Sequence, residues 1–180
     1  DRTLCPEKQP DDPVAVGRQR SQQSPPRLAV FELGAGAVDV EVADRRPAAL
    51  ERLARIEAGG MTVAVEDAML NGYAPELRGD IGRFERFRAR WLGNDPSSYA
   101  AVWGMLAAAD MNDELARLTC PVLVIGGSLD RVRPPPLAEG VARVIPGARY
   151  TELRTGHYMA VQTPDLLFDC IDEFLTSVGA

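Results

Sequence analysis

One aspartate and one histidine in the C-terminal third of the chain have residue types and positions that could support proton transfer. Asp130 ends the stretch VLVIGGSLD, and His157 ends the stretch YTELRTGH. His157 is the one histidine among the 180 residues. A carboxylate that binds one imidazole nitrogen fixes the tautomer and leaves the other nitrogen as a base, which supplies two members of a nucleophile–histidine–acid triad.

Each of these residues alone also has an ordinary structural explanation. A lone histidine is more often a packed or solvated side chain than a functional one, and an aspartate after a strand often only stabilises a turn. The surrounding elements favour the functional interpretation. CPVLVIGG is an uninterrupted apolar run, typical of a strand buried on both faces, and ARYTEL predicts a second strand. A helix that begins at prolines is predicted between them, so the two strands should be parallel.

The carboxyl ends of parallel strands meet at one edge of a sheet, where the functional crevice of open α/β sheets lies. If the two strands are neighbours, about 4.8 Å apart, Asp130 and His157 can approach to hydrogen-bond distance. A final amphipathic helix follows, with Thr163 predicted as N-cap and Pro164 after it. Its apolar stripe consists of Leu167, Cys170, Ile171, Phe174, Leu175 and Val178.

The preceding part of the chain, from Pro47 to about Leu118, has helical periodicity. Asp95 and Pro96 are predicted to begin one of these helices as N-cap and first helical residue. Aromatic residues at helical spacing are more often core residues than binding-site residues. Core packing and ligand contact therefore both remain open for Trp91 and Trp103. The predicted helix faces are Leu50, Leu53, Ala54 and Glu57; Ile81, Phe84, Arg88 and Trp91; and Tyr99, Val102, Trp103 and Leu106.

The N-terminal residues differ from the rest of the chain in composition. Residues 1–27 are rich in proline, glutamine and serine, and we expect a disordered leader there. Residues 28–44 alternate between apolar and polar, which predicts strands or a hairpin that includes Val38, Val40 and Val42. The Gly34-x-Gly36 pair resembles the start of a dinucleotide fingerprint, but Asp39 occupies the position where a third small residue is needed.

Composition excludes several classes of function. The net charge of −6 argues against nucleic acid or an anionic membrane as a partner. No apolar run reaches the roughly 18 residues that span a bilayer, so we expect a cytoplasmic protein. Cys5, Cys120 and Cys170 are widely spaced and only one histidine accompanies them. We therefore expect neither a metal site nor a cofactor.

The segment from CPVLVIGGSLD through LRTGHYMAVQTPD to the final helix resembles the C-terminal part of α/β-hydrolase fold enzymes, most closely the 3-oxoadipate enol-lactonase and small-esterase branch. The stretches ALERLARIEAGGMTVAVEDAMLNGYAPEL and DPSSYAAVWGMLAAADMNDELARL are similar to the helical cap of that branch. The resemblance covers about residues 45–178. It implies a partial α/β-hydrolase fold, in which parallel strands with flanking helices at residues 119–180 carry a helical cap at residues 45–118.

The resemblance also implies a set of site residues. Asp130 takes the place of the triad acid and His157 that of the base. Trp91, Trp103 and Tyr158 are expected to contact a small apolar ester or lactone. The nucleophile motif Gly-x-Ser-x-Gly of this fold is absent from the sequence. The serines, none of which has that context, are Ser21, Ser24, Ser97, Ser98, Ser128 and Ser177.

Two functions remain open at this point. The first is the cap and C-terminal part of a longer serine-type ester or lactone hydrolase, inactive alone because the nucleophile lies outside this chain. The second is an inactive pseudoenzyme or a module that binds an apolar ligand or a partner chain. The expected macromolecular partner is a second copy of the chain or a complementing N-terminal half.

Overall fold

The computed structural model describes residues 29–31 and 42–179. The expected leader at residues 1–27 and the glycine pair at 34 and 36 lie outside these ranges. A short 3₁₀ turn, Pro75–Leu77, separates the second and third helices. In chain order the elements are β1 (Ala29–Phe31), α1 (Val42–Gly59), α2 (Met61–Asn71), α3 (Ile81–Leu92), α4 (Pro96–Ala108), α5 (Asn112–Leu115), β2 (Val122–Gly127), α6 (Pro135–Val144), β3 (Arg149–Leu153), α7 (Met159–Gln162) and α8 (Pro164–Ser177).

The described strands form one parallel sheet in the order β1-β2-β3, with β2 in the centre. All six residues of β2 are buried, as its uninterrupted apolar sequence predicts. Successive side chains of a strand point to opposite faces. Val122 and Val124 therefore pack with α6, while Leu123 and Ile125 pack with α8. Full burial of each such side chain contributes about 1.5–3 kcal/mol, so this strand forms the centre of the α/β core.

The final helix packs as its periodicity predicts. Phe174 is buried at 2% exposure, and the other five residues of the predicted stripe pack around the same cluster. Thr163 is the N-cap of α8, but its side chain makes no capping hydrogen bond. Its hydroxyl instead donates to the buried hydroxyl of Thr155, at 2.6 Å. Thr163 thus ties the start of α8 to the loop that follows β3.

Helices α1 to α4 form the helical cap. Val65, Ala68 and Met69 of α2 are buried against aromatic side chains of α3, and the fully buried Tyr73 lies at their centre. Asp95 is the N-cap of α4 and accepts a hydrogen bond from the backbone N–H of Ser98 at 2.8 Å. The predicted start of that helix is therefore confirmed.

Several expectations drawn from the sequence for the helical cap and the residues before it are wrong in detail. Val42 begins α1 and is not a strand residue, whereas the predicted strand residue Val30 lies in β1. Val38 and Val40 lie outside the described residues. Leu50 is 65% exposed and Ile56 is fully buried, because α1 turns a different face toward its neighbours than the predicted one. Ile81 is 70% exposed at the first position of α3, whereas Phe87 joins the aromatic cluster. The tertiary contacts of the cap, and not local periodicity, select these faces.

Two cysteines fall within the described ranges. Cys120 precedes β2 and Cys170 lies on α8, and both are free and half-buried against the core. None of the helices at residues 29–31 or 42–179 combines the length and apolar character needed to cross a membrane.

Candidate active site

The loops that follow β2 and β3 bring Asp130 and His157 together. The sheet register places Gly127, the last residue of β2, beside Leu153, the last residue of β3. The two loops therefore leave the sheet side by side. The Nδ1 atom of His157 lies 2.9 Å from Oδ2 of Asp130, which is hydrogen-bond distance. The juxtaposition expected from parallel strands is present.

Asp130 stabilises a turn and also contacts the imidazole of His157. Its Oδ1 accepts hydrogen bonds from the backbone N–H groups of Val132 and Arg133, both at 2.8 Å. Its backbone N–H donates to the carbonyl of Gly127 at 3.0 Å. One carboxylate oxygen thus stabilises the turn, and Oδ2 is left for the imidazole. The side chain is only 3% exposed. Two backbone N–H groups on Oδ1 and the imidazole on Oδ2 compensate the cost of burying the carboxylate.

His157 is held by its backbone as well as its ring. Its N–H donates to the carbonyl of Gly72 in the cap, at 3.0 Å. Gly127 allows the two loops to pass closely, because a Cβ there would lie 2.6 Å from the carbonyl oxygen of Thr155. A carboxylate can only accept at Nδ1, so the neutral imidazole carries its proton on Nδ1 and Nε2 remains available as a base.

A cavity of about 240 Å³ lies between the cap and this pair. His157 lines it together with Trp91, Trp103 and Tyr158, so the structure brings these expected contact residues to one place. Tyr158 packs its ring against His157, with ring centroids 5.2 Å apart. Burial raises the pKa of Tyr158 above its ordinary value, so the phenol stays protonated at neutral pH. Asp130 does not line this cavity; it lies against a water-sized void of about 10 Å³ behind the imidazole.

The cavity also contains polar residues that the sequence analysis did not single out. Arg52 of α1 forms an ion pair with Asp67 of α2, with Nη1 2.8 Å from Oδ2. The guanidinium carbon of Arg52 lies 4.8 Å from the centroid of the Trp103 ring, a cation–π geometry. Asn71 donates from Nδ2 to Oδ1 of Asp67 at 2.9 Å. No local pattern in the sequence singles out Arg52, Asp67 or Asn71, because their meeting depends on how α1 packs against α2.

A hydrogen bond orients the indole beneath Arg52. Nε1 of Trp103 donates to the Tyr99 hydroxyl at 2.8 Å. Burial raises the pKa of Tyr99, and the neighbouring Trp103 and Arg52 act in the opposite direction. Across residues 29–31 and 42–179 there is no group of three or more His, Cys, Asp or Glu side chains that could hold a metal ion.

Similarity to known proteins agrees with this architecture. No protein-family model matches the sequence. The chain is 40% identical over 68 residues to the pyrrolizixenacetamide deacetylase of Xenorhabdus hominickii, covering 38% of this chain and 26% of that protein. The structure of this chain is similar to that of the enol-lactonase from Burkholderia xenovorans LB400, with a TM-score of 0.65 and 26% identity. The match covers 71% of this chain and 49% of the enol-lactonase chain.

A second solved structure covers more of the chain. The thermophilic esterase from Thermogutta terrifontis matches 85% of this chain and 56% of its own, with a TM-score of 0.69 and 24% identity. The chain thus spans about half the length of these two solved structures and about a quarter of the deacetylase. Fold, element order and these likenesses together identify a partial α/β-hydrolase fold, and the chain is similar to an enol-lactonase and to an esterase.

Proposed function

We propose that this chain forms the cap and C-terminal core of a serine-type hydrolase of carboxylic esters or lactones, with His157 as general base and Asp130 as the acid that orients it. The observation that carries the proposal is the 2.9 Å contact between Nδ1 and Oδ2 at the edge of a largely apolar cavity. The similar proteins are an enol-lactonase, an esterase and a deacetylase. Transfer of an acyl group to water is the chemistry that we propose here.

The proposed chemistry uses the imidazole twice. Nε2 takes the proton of a serine hydroxyl as its oxygen attacks the substrate carbonyl, and the imidazolium then gives that proton to the leaving oxygen. Water repeats the sequence on the acyl-enzyme and releases the acid. Asp130 keeps its negative charge throughout and stabilises the imidazolium through Nδ1–H. For a lactone, the leaving oxygen stays in the same product molecule.

The nucleophile in this proposal comes from a separate polypeptide segment. The sequence contains no Gly-x-Ser-x-Gly motif, and the chain spans about half of the similar hydrolases. Loss of a triad nucleophile costs about 10⁶ in turnover. The 180-residue chain alone is therefore expected to be nearly inactive, and its proposed partner is a complementing N-terminal half that carries the serine.

Complementation tests this function directly. The chain is produced alone and together with an N-terminal segment that contains a nucleophile motif, and p-nitrophenyl acetate and simple lactones are assayed. Exchange of Asp130 for Asn or of His157 for Ala should lower turnover of the completed protein by about 10⁴ or more. The matched control is Asp172→Asn, the same chemical change on an exposed position of α8, which should leave turnover unchanged.

Two outcomes would contradict the proposal. Turnover that survives His157→Ala in the completed protein would refute the role of His157 as base, and turnover by the 180-residue chain alone would show that it contains its own nucleophile.

The cavity, in a chain without a nucleophile motif, also favours a second candidate function, an inactive module that binds a small ligand. A completed protein that binds ligands at Trp91 and Trp103 but hydrolyses none would favour this second candidate.

A further inference from the structure

The charges that line the cavity between the cap and His157 restrict which ligands it can bind. Among the lining residues that the structure describes, the permanently charged side chains are Arg52 and Asp67. They are paired at 2.8 Å and are 24% and 29% exposed, so solvent screens them only in part. A partly buried ion pair is weak evidence for a contribution to stability, because apolar residues of similar volume often replace such pairs at no cost. Its position in a cavity beside His157 therefore points to ligand recognition.

The pair is held rigidly from both sides. The Trp103 ring lies against the guanidinium, and Asn71 binds the second oxygen of Asp67. The Arg52 side chain lines the cavity and is partly exposed there. A guanidinium carries five N–H donors, more than the ion pair with Asp67 uses, so Arg52 can also donate to an acceptor that arrives with a ligand.

The opposite charges of Arg52 and Asp67 decide whether a ligand carboxylate or a neutral carbonyl is the better acceptor. A ligand carboxylate beside this pair is attracted by Arg52 and repelled by Asp67 at similar distances, so the two effects largely cancel. The carboxylate of Asp130, behind His157, adds further repulsion. The cost of removing the ligand anion from water then remains uncompensated. A neutral carbonyl has a smaller desolvation cost and can still accept a hydrogen bond from the guanidinium of Arg52.

We infer that Asp67 makes this cavity selective for uncharged ligands with an oxygen acceptor and excludes carboxylates. The inference rests on the proposed function, because it names neutral esters and lactones as the substrate class of that site. Asp67 is the specificity-determining residue, and Arg52 is the donor that the bound oxygen contacts. Neutralising Asp67 leaves Arg52 unopposed, and the cavity should then accept anions.

Two isosteric ligands that cannot be hydrolysed test this selectivity in the 180-residue chain. 4-Phenyl-2-butanone and 3-phenylpropanoate differ in that a methyl ketone replaces a carboxylate. The chain contains two tryptophans, and both line the cavity, so their two indole N–H signals in ¹⁵N-labelled protein report binding. The natural chain should bind the ketone at least about tenfold more tightly, and Asp67→Asn should tighten carboxylate binding by about tenfold, equivalent to ~1.4 kcal/mol.

The control is Glu66→Gln, which removes one negative charge from the adjacent, exposed position of α2. It should leave the ketone-to-carboxylate preference within about twofold of the natural chain, since solvent screens an exposed charge. Equal or tighter binding of the carboxylate by the natural chain would overturn the inference, as would an unchanged preference in Asp67→Asn. Absence of binding by either ligand in folded protein would overturn it too. None of these readouts depends on turnover, so failure of the hydrolase proposal is recognised separately.

Discussion

The contact between the cap and the loop that contains His157 predicts that Gly72→Ala lowers the stability of the fold and also disturbs the His157 ring. Its backbone is helical, with φ −94° and ψ −32°, so alanine is compatible with the local conformation. The obstacle is space, because an added Cβ would lie 2.6 Å from Cε2 of Tyr158 and 2.9 Å from the carbonyl oxygen of Ala68. Ordinary carbon–carbon contacts are about 3.5–4.0 Å, so the ring must move by roughly 1 Å.

Tyr158 has little freedom to make that movement. Its ring lies 4.8 Å from Phe87 and 5.7 Å from Trp91, centroid to centroid. Its backbone N–H is bound by the side-chain oxygen of Gln162 at 3.0 Å. Overpacking of such a site costs about 1–3 kcal/mol. Because the carbonyl of Gly72 also binds the backbone of His157, the displacement should reach the imidazole.

The assay is urea unfolding combined with the ¹⁵N signals of the His157 ring. Gly72→Ala should lower the free energy of unfolding by about 1–3 kcal/mol and shift the ring signals. The control is Gly140→Ala in the middle of α6, where an added Cβ meets no atom of another described element within 4 Å. It should raise the free energy of unfolding by up to about 1 kcal/mol, since alanine is the better helix former. If Gly72→Ala were as stable as the natural chain, with unchanged histidine signals, the proposed coupling of cap and loop would be wrong.

Three further predictions concern side chains away from the proposed base. The buried hydroxyl of Tyr73 has no hydrogen-bond partner among the described residues, so Tyr73→Phe should leave the free energy of unfolding unchanged or raise it by up to about 1 kcal/mol; a clear loss in urea unfolding would show that the hydroxyl is bonded. Hydrogen bonds from the backbone N–H of Ser98 and the hydroxyl of Ser97 lower the pKa of Asp95. Because the folded pKa lies below the unfolded one, this stabilisation is present above the ordinary carboxyl range and is lost as pH falls through the folded pKa. Between about pH 5 and about pH 3 the natural chain should therefore lose more stability than Asp95→Asn, and equal losses would contradict the cap. Burial, with Glu173 nearby, raises the pKa of the Cys170 thiol, so alkylation by iodoacetamide followed by peptide mass spectrometry should have its midpoint at higher pH in folded than in unfolded protein.

The sequence predicts the α/β core well because that core depends on local patterns. The apolar run of β2 and the stripe of α8 need only alternation and helical periodicity to be recognised, and their packing against α6 and around Phe174 is confirmed. The meeting of Asp130 and His157 follows from one further rule, that parallel strands end at a common edge.

The cap is less predictable because its packing is decided between helices. Several apolar stripes fit α1, and only contact with α2 and α4 selects the face that contains Ile56. The pairing of Arg52 with Asp67 depends on that choice, so no local signal identifies it. Thr163 shows the same limit, since its hydroxyl binds Thr155 in preference to the helix end that it precedes.

The ring nitrogens of His157 offer the most direct test of the central claim. The chain has a single histidine, so a long-range ¹H–¹⁵N correlation spectrum of the imidazole needs no assignment. A carboxylate that accepts at Nδ1 requires the Nδ1–H tautomer in the neutral ring and a hydrogen-bonded Nδ1 proton, and Asp130→Asn should change both. A ring in the Nε2–H form, or one that is indifferent to Asp130→Asn, would show that the two side chains are not joined as described.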